Sequence, residues 1–220
     1  MRNSLRLLVI PFLAAACNVT TTGDRGVVDF TPEDCGEGIC TLDSELASST
    51  SMVVAVDAPY EAGPVTVITD DARVAIVFPL THDRWEVRGI NPGFTRLVVL
   101  TRYEELDSTP LRVAQTYRYG LETATPNAFQ SAPEHAGEEI WQLRADVATT
   151  FTVRPYDRHG FELMGVPNLT TEIDAELFDA VSPSSNLPAG ELLLNAMLPG
   201  DYFMTVSADG VYLDVVFEAR

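Results

Sequence analysis

The 220-residue sequence carries 32 acidic side chains against 14 lysine and arginine side chains, which gives a formal net charge of −18. A body this acidic repels a phosphate backbone, so its charge excludes nucleic acid as a partner. The apolar share of 46% excludes wholesale disorder, and the body from about Val27 to Arg220 is long enough for one large or two small domains.

The first sixteen residues have the layout of an export signal. Arg2 and Arg6 flank the start of an apolar run at residues 7–16, which ends in three alanines. This run is about half as long as the ~20 residues that a helix needs to cross a bilayer. We therefore predict that residues 1–16 are a signal peptide, and that its removal with Arg2 and Arg6 takes the net charge from −18 to −20.

The segment Leu13-Ala14-Ala15-Ala16-Cys17 resembles the lipobox of bacterial lipoproteins. The resemblance implies that the Cys17 thiol receives a diacylglycerol, that cleavage falls just before it, and that the new amino group is often acylated as well. Two or more acyl chains make a stable membrane anchor. The family prefers Leu where Ala14 stands, and an ordinary signal peptide is the alternative. Asn18 favours the outer membrane, because Asp at that position retains some lipoproteins in the inner membrane.

Residues 17–36 are predicted to form the lipidated cysteine and a polar, flexible tether, since the segment buries little apolar surface. Cys35 and Cys40 then remain as an even pair in an exported chain, which predicts a disulfide where the tether meets the first domain. Closing so short a loop contributes about 2 kcal/mol at most. A metal or redox pair is the alternative, although two thiols do not complete a zinc site.

The rest of the chain indicates an all-β fold. Short runs rich in Val, Thr, Phe and Tyr alternate with Gly and Pro turns, roughly every eight to twelve residues. We predict two tandem antiparallel β-sandwich domains, at residues 37–120 and 138–220, joined by a linker at 121–137. A single larger sandwich would show similar turn spacing and remains open.

The two halves share a pattern. Residues 87–93 and 194–200 both read apolar-x-x-apolar-x-Pro-Gly before a β run. A common type II turn explains the Pro-Gly pair alone, and duplication explains the flanking match as well. The Asp157-x-x-Gly160 turn and the strand after Pro199-Gly200 resemble bacterial Ig-like domains. That resemblance implies an Ig-like sandwich, and because family members serve as stalks, adhesin segments and carbohydrate-contacting modules, it implies no single ligand.

No catalytic or metal-binding constellation is visible in the sequence. The three histidines, His82, His135 and His159, are isolated, and no nucleophile elbow or phosphate loop occurs. Adjacent acids such as Asp70 and Asp71 point to opposite faces of a strand, so we interpret them as surface charge. A Ca²⁺ site between the domains is the alternative. We predict no enzyme, no cofactor and no metal.

The aromatic residues suggest two roles. Trp85 and Trp141 are expected to fill cores. Tyr117 and Tyr119 lie on one face of a predicted strand and are the candidate ligand-contact aromatics. The sequence thus predicts a membrane-anchored lipoprotein of the cell envelope, in the outer membrane, with a non-catalytic structural or protein-interaction role. The alternative is a carbohydrate-binding module for cell-surface or cell-wall glycans.

Overall fold

The structure is a computed structural model, and its described residues are almost entirely strands. It describes residues 19–33, 40–123, 128–131, 138–145, 147–173, 190–194, 198–208 and 210–220. Within these ranges one short 3-10 helix occurs, at Tyr60–Ala62. No helix in this part of the chain is long and apolar enough to cross a bilayer. The all-β prediction is confirmed.

The first half of the chain forms a sandwich of two sheets. Its strands are β1 (Thr21–Thr22), β2 (Asp29–Glu33), β3 (Leu46–Ala47), β4 (Thr50–Asp57), β5 (Thr66–Thr69), β6 (Ala75–Pro79), β7 (Arg84–Gly89), β8 (Gly93–Leu100) and β9 (Glu105–Ala114). One sheet has the order β1-β2-β4-β7-β6 and the other has the order β3-β9-β8-β5. One apolar core contains residues of both sheets.

The second half forms another sandwich with its own core. Its strands are β10 (Arg118–Glu122), β11 (Ala128–Ser131), β12 (Glu138–Leu143), β13 (Thr149–Tyr156), β14 (Val166–Pro167), β15 (Thr170–Ile173), β16 (Glu191–Leu194), β17 (Gly200–Ala208) and β18 (Val211–Ala219). One sheet has the order β10-β13-β16 and the other has the order β11-β12-β18-β17-β15. Strand β14 is the exception, because it pairs with β4 of the first sandwich.

Alternating burial explains why these segments become strands. Along β4 the side chains of Met52, Val54 and Val56 are buried and their neighbours are more exposed, as expected for a sheet with one face on a core. Trp85 is buried in the first core. Trp141 is buried in the second, edge-on to Phe151 with ring centroids 5.1 Å apart. The predicted core role of both tryptophans is confirmed.

The two sandwiches repeat one pattern of strand pairing. The antiparallel pairs β4–β7 and β8–β9 correspond to β13–β16 and β17–β18. The matching Pro-Gly motifs occupy equivalent places, because Gly93 and Gly200 begin β8 and β17 and pair with Val113 and Ala219 of the last strands. Each half also contains a parallel pair, β3–β9 and β12–β18, so the prediction of wholly antiparallel sheets is wrong at these strands.

The predicted flexible tether is wrong for residues 19–33. Strand β2 pairs with β4 over five residues, and Val28 and Phe30 are fully buried in the first core. The segment has a short period-2 apolar pattern that supplies a strand. Residues 34–36, which the prediction also assigned to the tether, lie outside the described residues.

The predicted end of the first domain at residue 120 is also wrong, and so is the predicted linker at 121–123 and 128–131. The remaining residues of the predicted linker, 124–127 and 132–137, lie outside the described residues. Strand β10 pairs with β13, and β11 pairs with β12, so both belong to the second sandwich. Tyr119 and Leu121 are buried in the second core. Because these side chains point into the second core, the boundary between the two sandwiches lies between β9 and β10. It therefore precedes the polar residues that suggested a linker.

Candidate functional site

The junction between the sandwiches is built by a strand that crosses from one to the other. Strand β14, from the second half, pairs antiparallel with Thr50 and Ser51 of β4. Strand β7 pairs with Ser51 along one edge of β4, so β14 lies along the other edge. Strand β2 occupies that same edge further along, from Val53 to Asp57. The first sheet is therefore completed by residues of the second half, and the predicted assignment of all of 138–220 to the second domain is wrong here.

Backbone hydrogen bonds hold the residues just before β14. The Met164 N–H donates to the Glu45 carbonyl and the Ala47 N–H donates to the Met164 carbonyl, each at 2.8 Å. The Met164 side chain is buried in the first core. At Gly165, with φ +107°, a Cβ would lie 2.0 Å from the Thr50 hydroxyl oxygen, so the close approach requires glycine.

A buried arginine supports the chain that leads into β14. The side chain of Arg154 is only 3% exposed, and its Nε lies 3.3 Å from Glu122 and 3.6 Å from Glu162. Burial raises the pKa of Glu162, while the Arg154 charge works in the opposite direction. Tyr156 donates its hydroxyl hydrogen to Glu122 at 3.1 Å. Burial, and after it the negative charge of Glu122, raises the pKa of Tyr156 to about 12.

A groove of about 500 Å³ opens where the two sandwiches meet. Residues from both halves line it: Glu45, Ala114, Gln115, Tyr117, Asp157, Arg158 and His159. The backbone beneath Tyr117 is fixed, because its N–H donates to the Tyr156 carbonyl at 2.8 Å. The preceding Thr116 is bonded to Ser48 through both its N–H and its hydroxyl. We call this cleft the junction groove.

The structure separates the two candidate tyrosines. Tyr117 is 67% exposed and lines the junction groove. Tyr119 is 1% exposed and packs in the second core, so the predicted shared aromatic face is wrong. Strand β10 begins at Arg118, so Tyr117 precedes the alternating pattern that turns Tyr119 inward.

The predicted Asp-x-x-Gly turn is confirmed and forms one wall of the groove. The Asp157 carboxylate accepts hydrogen bonds from the N–H groups of His159 and Phe161, both at 2.8 Å. Gly160 has φ +82°, which glycine tolerates. The Arg158 Nε donates to the His159 Nε2 at 3.0 Å. The wall is thus preorganised by its own bonds.

A second cleft, of about 510 Å³, lies beside β14 on the first sandwich. Its charged side chains satisfy one another, since Arg88 donates to Glu86 at 2.9 Å and lies 5.3 Å from the centre of the Phe78 ring. Ser49, at its rim, has φ 67°, an uncommon conformation for a residue other than glycine.

The predicted cysteine sites lie at the edge of the described residues. Cys17 and Cys35 fall outside them, so lipidation and the Cys35–Cys40 disulfide stay predictions. Cys40 is buried, and its carbonyl accepts a 2.8 Å hydrogen bond from the Val19 N–H. In the part of the chain that the structure describes, no group of three or more His, Cys, Asp or Glu side chains is arranged to hold a metal.

Sequence reasoning missed the junction, although one signal was available. Residues 163–167 form a short apolar run interrupted by Gly165, and glycine inside such a run often marks close approach of another backbone. The pattern does not indicate which sheet β14 would pair with. The pairing with β4 is a contact over more than a hundred residues.

Comparisons with known proteins place the chain in no family. No protein-family model and no curated protein matches the sequence. Domains 5–6 of the S-layer protein SbsC are 15% identical over 92% of this chain and 98% of that one, with a TM-score of 0.34. The Escherichia coli adhesin FdeC is 11% identical, with a TM-score of 0.33, and the match covers 80% of this chain and 60% of the adhesin chain. The endo-fucoidan hydrolase MfFcnA4 (H294Q) is 12% identical, with a TM-score of 0.31, and the match covers 94% of this chain and 34% of the hydrolase chain. At these TM-scores none of the likenesses bears on activity or ligand.

Proposed function

We propose that this chain is a non-catalytic lipoprotein of the cell envelope, in the outer membrane, anchored through Cys17. Its two-sandwich body would have a structural or protein-interaction role. The observation that carries the proposal is β14, which inserts residues of the second sandwich into a sheet of the first. A strand pairing of this kind fixes the mutual orientation of the domains, as a load-carrying or presenting module requires.

The second sandwich offers an exposed apolar surface for a protein partner. On the outer face of its larger sheet, Phe129, Phe203 and Tyr212 are each 61–67% exposed. Asp214 and Glu218 lie on the same outer face of β18. Exposed aromatic side chains surrounded by polar ones are typical of protein–protein contacts, so this face is where we expect an envelope protein to bind.

The anchor is tested by metabolic labelling with an alkyne-tagged fatty acid. The wild-type chain should incorporate the label and fractionate with the outer membrane, and Cys17→Ser should do neither. A label retained by Cys17→Ser, or a wild-type chain released without lipid, would overturn the anchor. A broad hydrolase screen of the purified protein tests the non-catalytic part, and turnover that co-purifies with the wild-type chain would contradict it.

The interaction role is tested by crosslinking in cells. A photo-crosslinking amino acid at Phe203 of the anchored chain should capture a discrete protein, identified by mass spectrometry. The same amino acid at Tyr60, which is 97% exposed on the first sandwich, is the control and should not capture it. If neither position captures a protein while the anchor is intact, the protein-interaction role is wrong and only a structural role remains.

A further inference from the structure

We infer that the junction groove is a binding site for a neutral glycan, with the Tyr117 ring as its stacking platform. This site goes beyond the proposed structural or protein-interaction role and does not depend on the lipid anchor. It rests on three features of the groove: an exposed aromatic ring on a fixed backbone, a preorganised polar turn and a nearly balanced charge.

The aromatic ring is exposed, and the backbone that carries it is held in place. Tyr117 is 67% exposed, yet its own N–H and both bonding groups of Thr116 are hydrogen-bonded to neighbouring elements. A pyranose presents an apolar face of C–H groups that packs against an electron-rich ring, and the tyrosine hydroxyl can meet the sugar's edge. Because the backbone is already ordered, binding does not require it to be ordered further, and the conformational entropy lost is that of the side chains.

Other residues that line the groove supply the polar groups that sugar hydroxyls need. Asp157 accepts hydrogen bonds, Arg158 donates them, and Gln115 does both. Both N–H groups bonded to Asp157 use Oδ1, so its Oδ2 faces no bond within the turn. A concave site with one apolar surface and a few oriented polar groups is the usual form of a small-ligand site.

Charge determines which class of glycan fits. The groove holds two carboxylates, Glu45 and Asp157, against the guanidinium of Arg158, and Glu45 is paired at 3.1 Å with Arg112. This balance gives no cationic surface for sulfate or uronate groups. The net charge of −18 on the whole chain repels polyanions further. Neutral sugars are therefore the class that the groove accepts.

The test uses the full mature protein in a detergent without a sugar headgroup, so that the detergent does not occupy the site. The probes are neutral hexasaccharides of N-acetylglucosamine, mannose, α-linked glucose and β-linked glucose, with heparin as the polyanion. Isothermal titration should show binding of at least one neutral probe. Tyr117→Ala and Arg158→Ala should each weaken that binding by roughly tenfold or more.

Tyr60→Ala is the matched control, because Tyr60 is also an exposed tyrosine, at 97%, but lies in the short 3-10 helix of the first sandwich and does not line the junction groove. It should leave the affinity unchanged, and unchanged melting temperatures would show that all three variants fold. The inference is overturned if no neutral probe binds, if heparin alone binds, or if Tyr117→Ala binds as tightly as Tyr60→Ala. None of these results depends on whether Cys17 carries lipid, so the anchor and the glycan site fail separately.

Discussion

The carboxylate of Asp107 accepts a 3.0 Å hydrogen bond from the backbone N–H of Val28, 79 residues earlier in the chain. The same side chain also accepts from the N–H groups of Arg25, Val27 and Ser108, each at 2.8 Å. It is fully buried. One side chain thus closes the turn that brings β2 into the first sheet, and this contact is what makes the N-terminal segment part of the body.

Replacing Asp107 by Asn should destabilise the first sandwich by about 2–4 kcal/mol, because the amide nitrogen cannot accept and leaves buried N–H groups unsatisfied. Urea unfolding measures the loss. Asp214→Asn, on the exposed face of β18, is the control and should change the free energy of unfolding by less than about 0.5 kcal/mol. Equal effects of the two substitutions would show that the Asp107 contacts do not hold the fold.

Acid should weaken the same contact. Burial raises the pKa of Asp107, but the four backbone N–H groups outweigh burial and hold the pKa below its usual value. With the folded pKa below the unfolded value of about 3.9, the stabilisation is complete above that pH and is lost as the pH falls through the folded pKa. The difference in unfolding free energy between wild type and Asp107→Asn should therefore shrink below about pH 4. A difference that stays constant from pH 7 to pH 3 would contradict this assignment.

Gly165 offers a direct test of the junction. Gly165→Ala places a Cβ against the Thr50 hydroxyl in addition to its strained positive φ, so β14 should leave the first sheet. We expect a loss of about 3 kcal/mol and the replacement of one thermal transition by two. Calorimetry and limited proteolysis near residue 165 would detect both changes.

Gly160→Ala is the matched control for the junction variant. Gly160 also has a positive φ, of +82°, but a Cβ there meets nothing within 4 Å. Its cost should be only the conformational strain, about 1–2 kcal/mol, with a single transition retained. If both variants unfold in one transition with the same midpoint, β14 does not couple the sandwiches.

Much of the fold follows from sequence because it is local. Alternating burial along β4, the tight hairpin between β17 and β18 and the Pro-Gly starts of β8 and β17 are readable in windows of under ten residues. The cores filled by Trp85 and Trp141 follow from the same alternation. Repeated local patterns therefore predict two sandwiches.

The errors concern contacts between distant residues. Val28 and Phe30 lie in a segment of mostly polar residues, and only pairing with β4 and the bonds to Asp107 make them core. Tyr119 turns inward because β10 joins the second sandwich, which its own neighbours do not reveal. The junction groove depends on the placement of both halves, so Tyr117 was identifiable from sequence as an aromatic and not as part of a groove.

The cysteine chemistry can be measured on the intact mature protein. If Cys17 carries a thioether lipid and Cys35 is bonded to Cys40, alkylation should add no label before reduction and two labels after it. Mass spectrometry counts them. The double variant Cys35→Ser/Cys40→Ser should unfold with a loss of about 2 kcal/mol at most. Three labels after reduction would mean that Cys17 is unmodified, and two labels before reduction would mean that the disulfide is absent.

If Cys17 carries the lipid anchor, the ordered N-terminal segment also predicts where the body lies relative to the bilayer. Val19 is bonded to Cys40, and only Asn18 lies between Val19 and Cys17, so their Cα atoms are about 7 Å apart at most. Neutron reflectometry on a supported bilayer should therefore show the protein layer directly against the headgroups. Ten Gly and Ser residues inserted after Asn18 should add a hydrated gap of about 17–19 Å. A native layer as distant as that of the insertion variant would mean that residues 19–33 detach from the first sheet at the membrane, since the covalent distance from Cys17 to Val19 cannot otherwise span the gap.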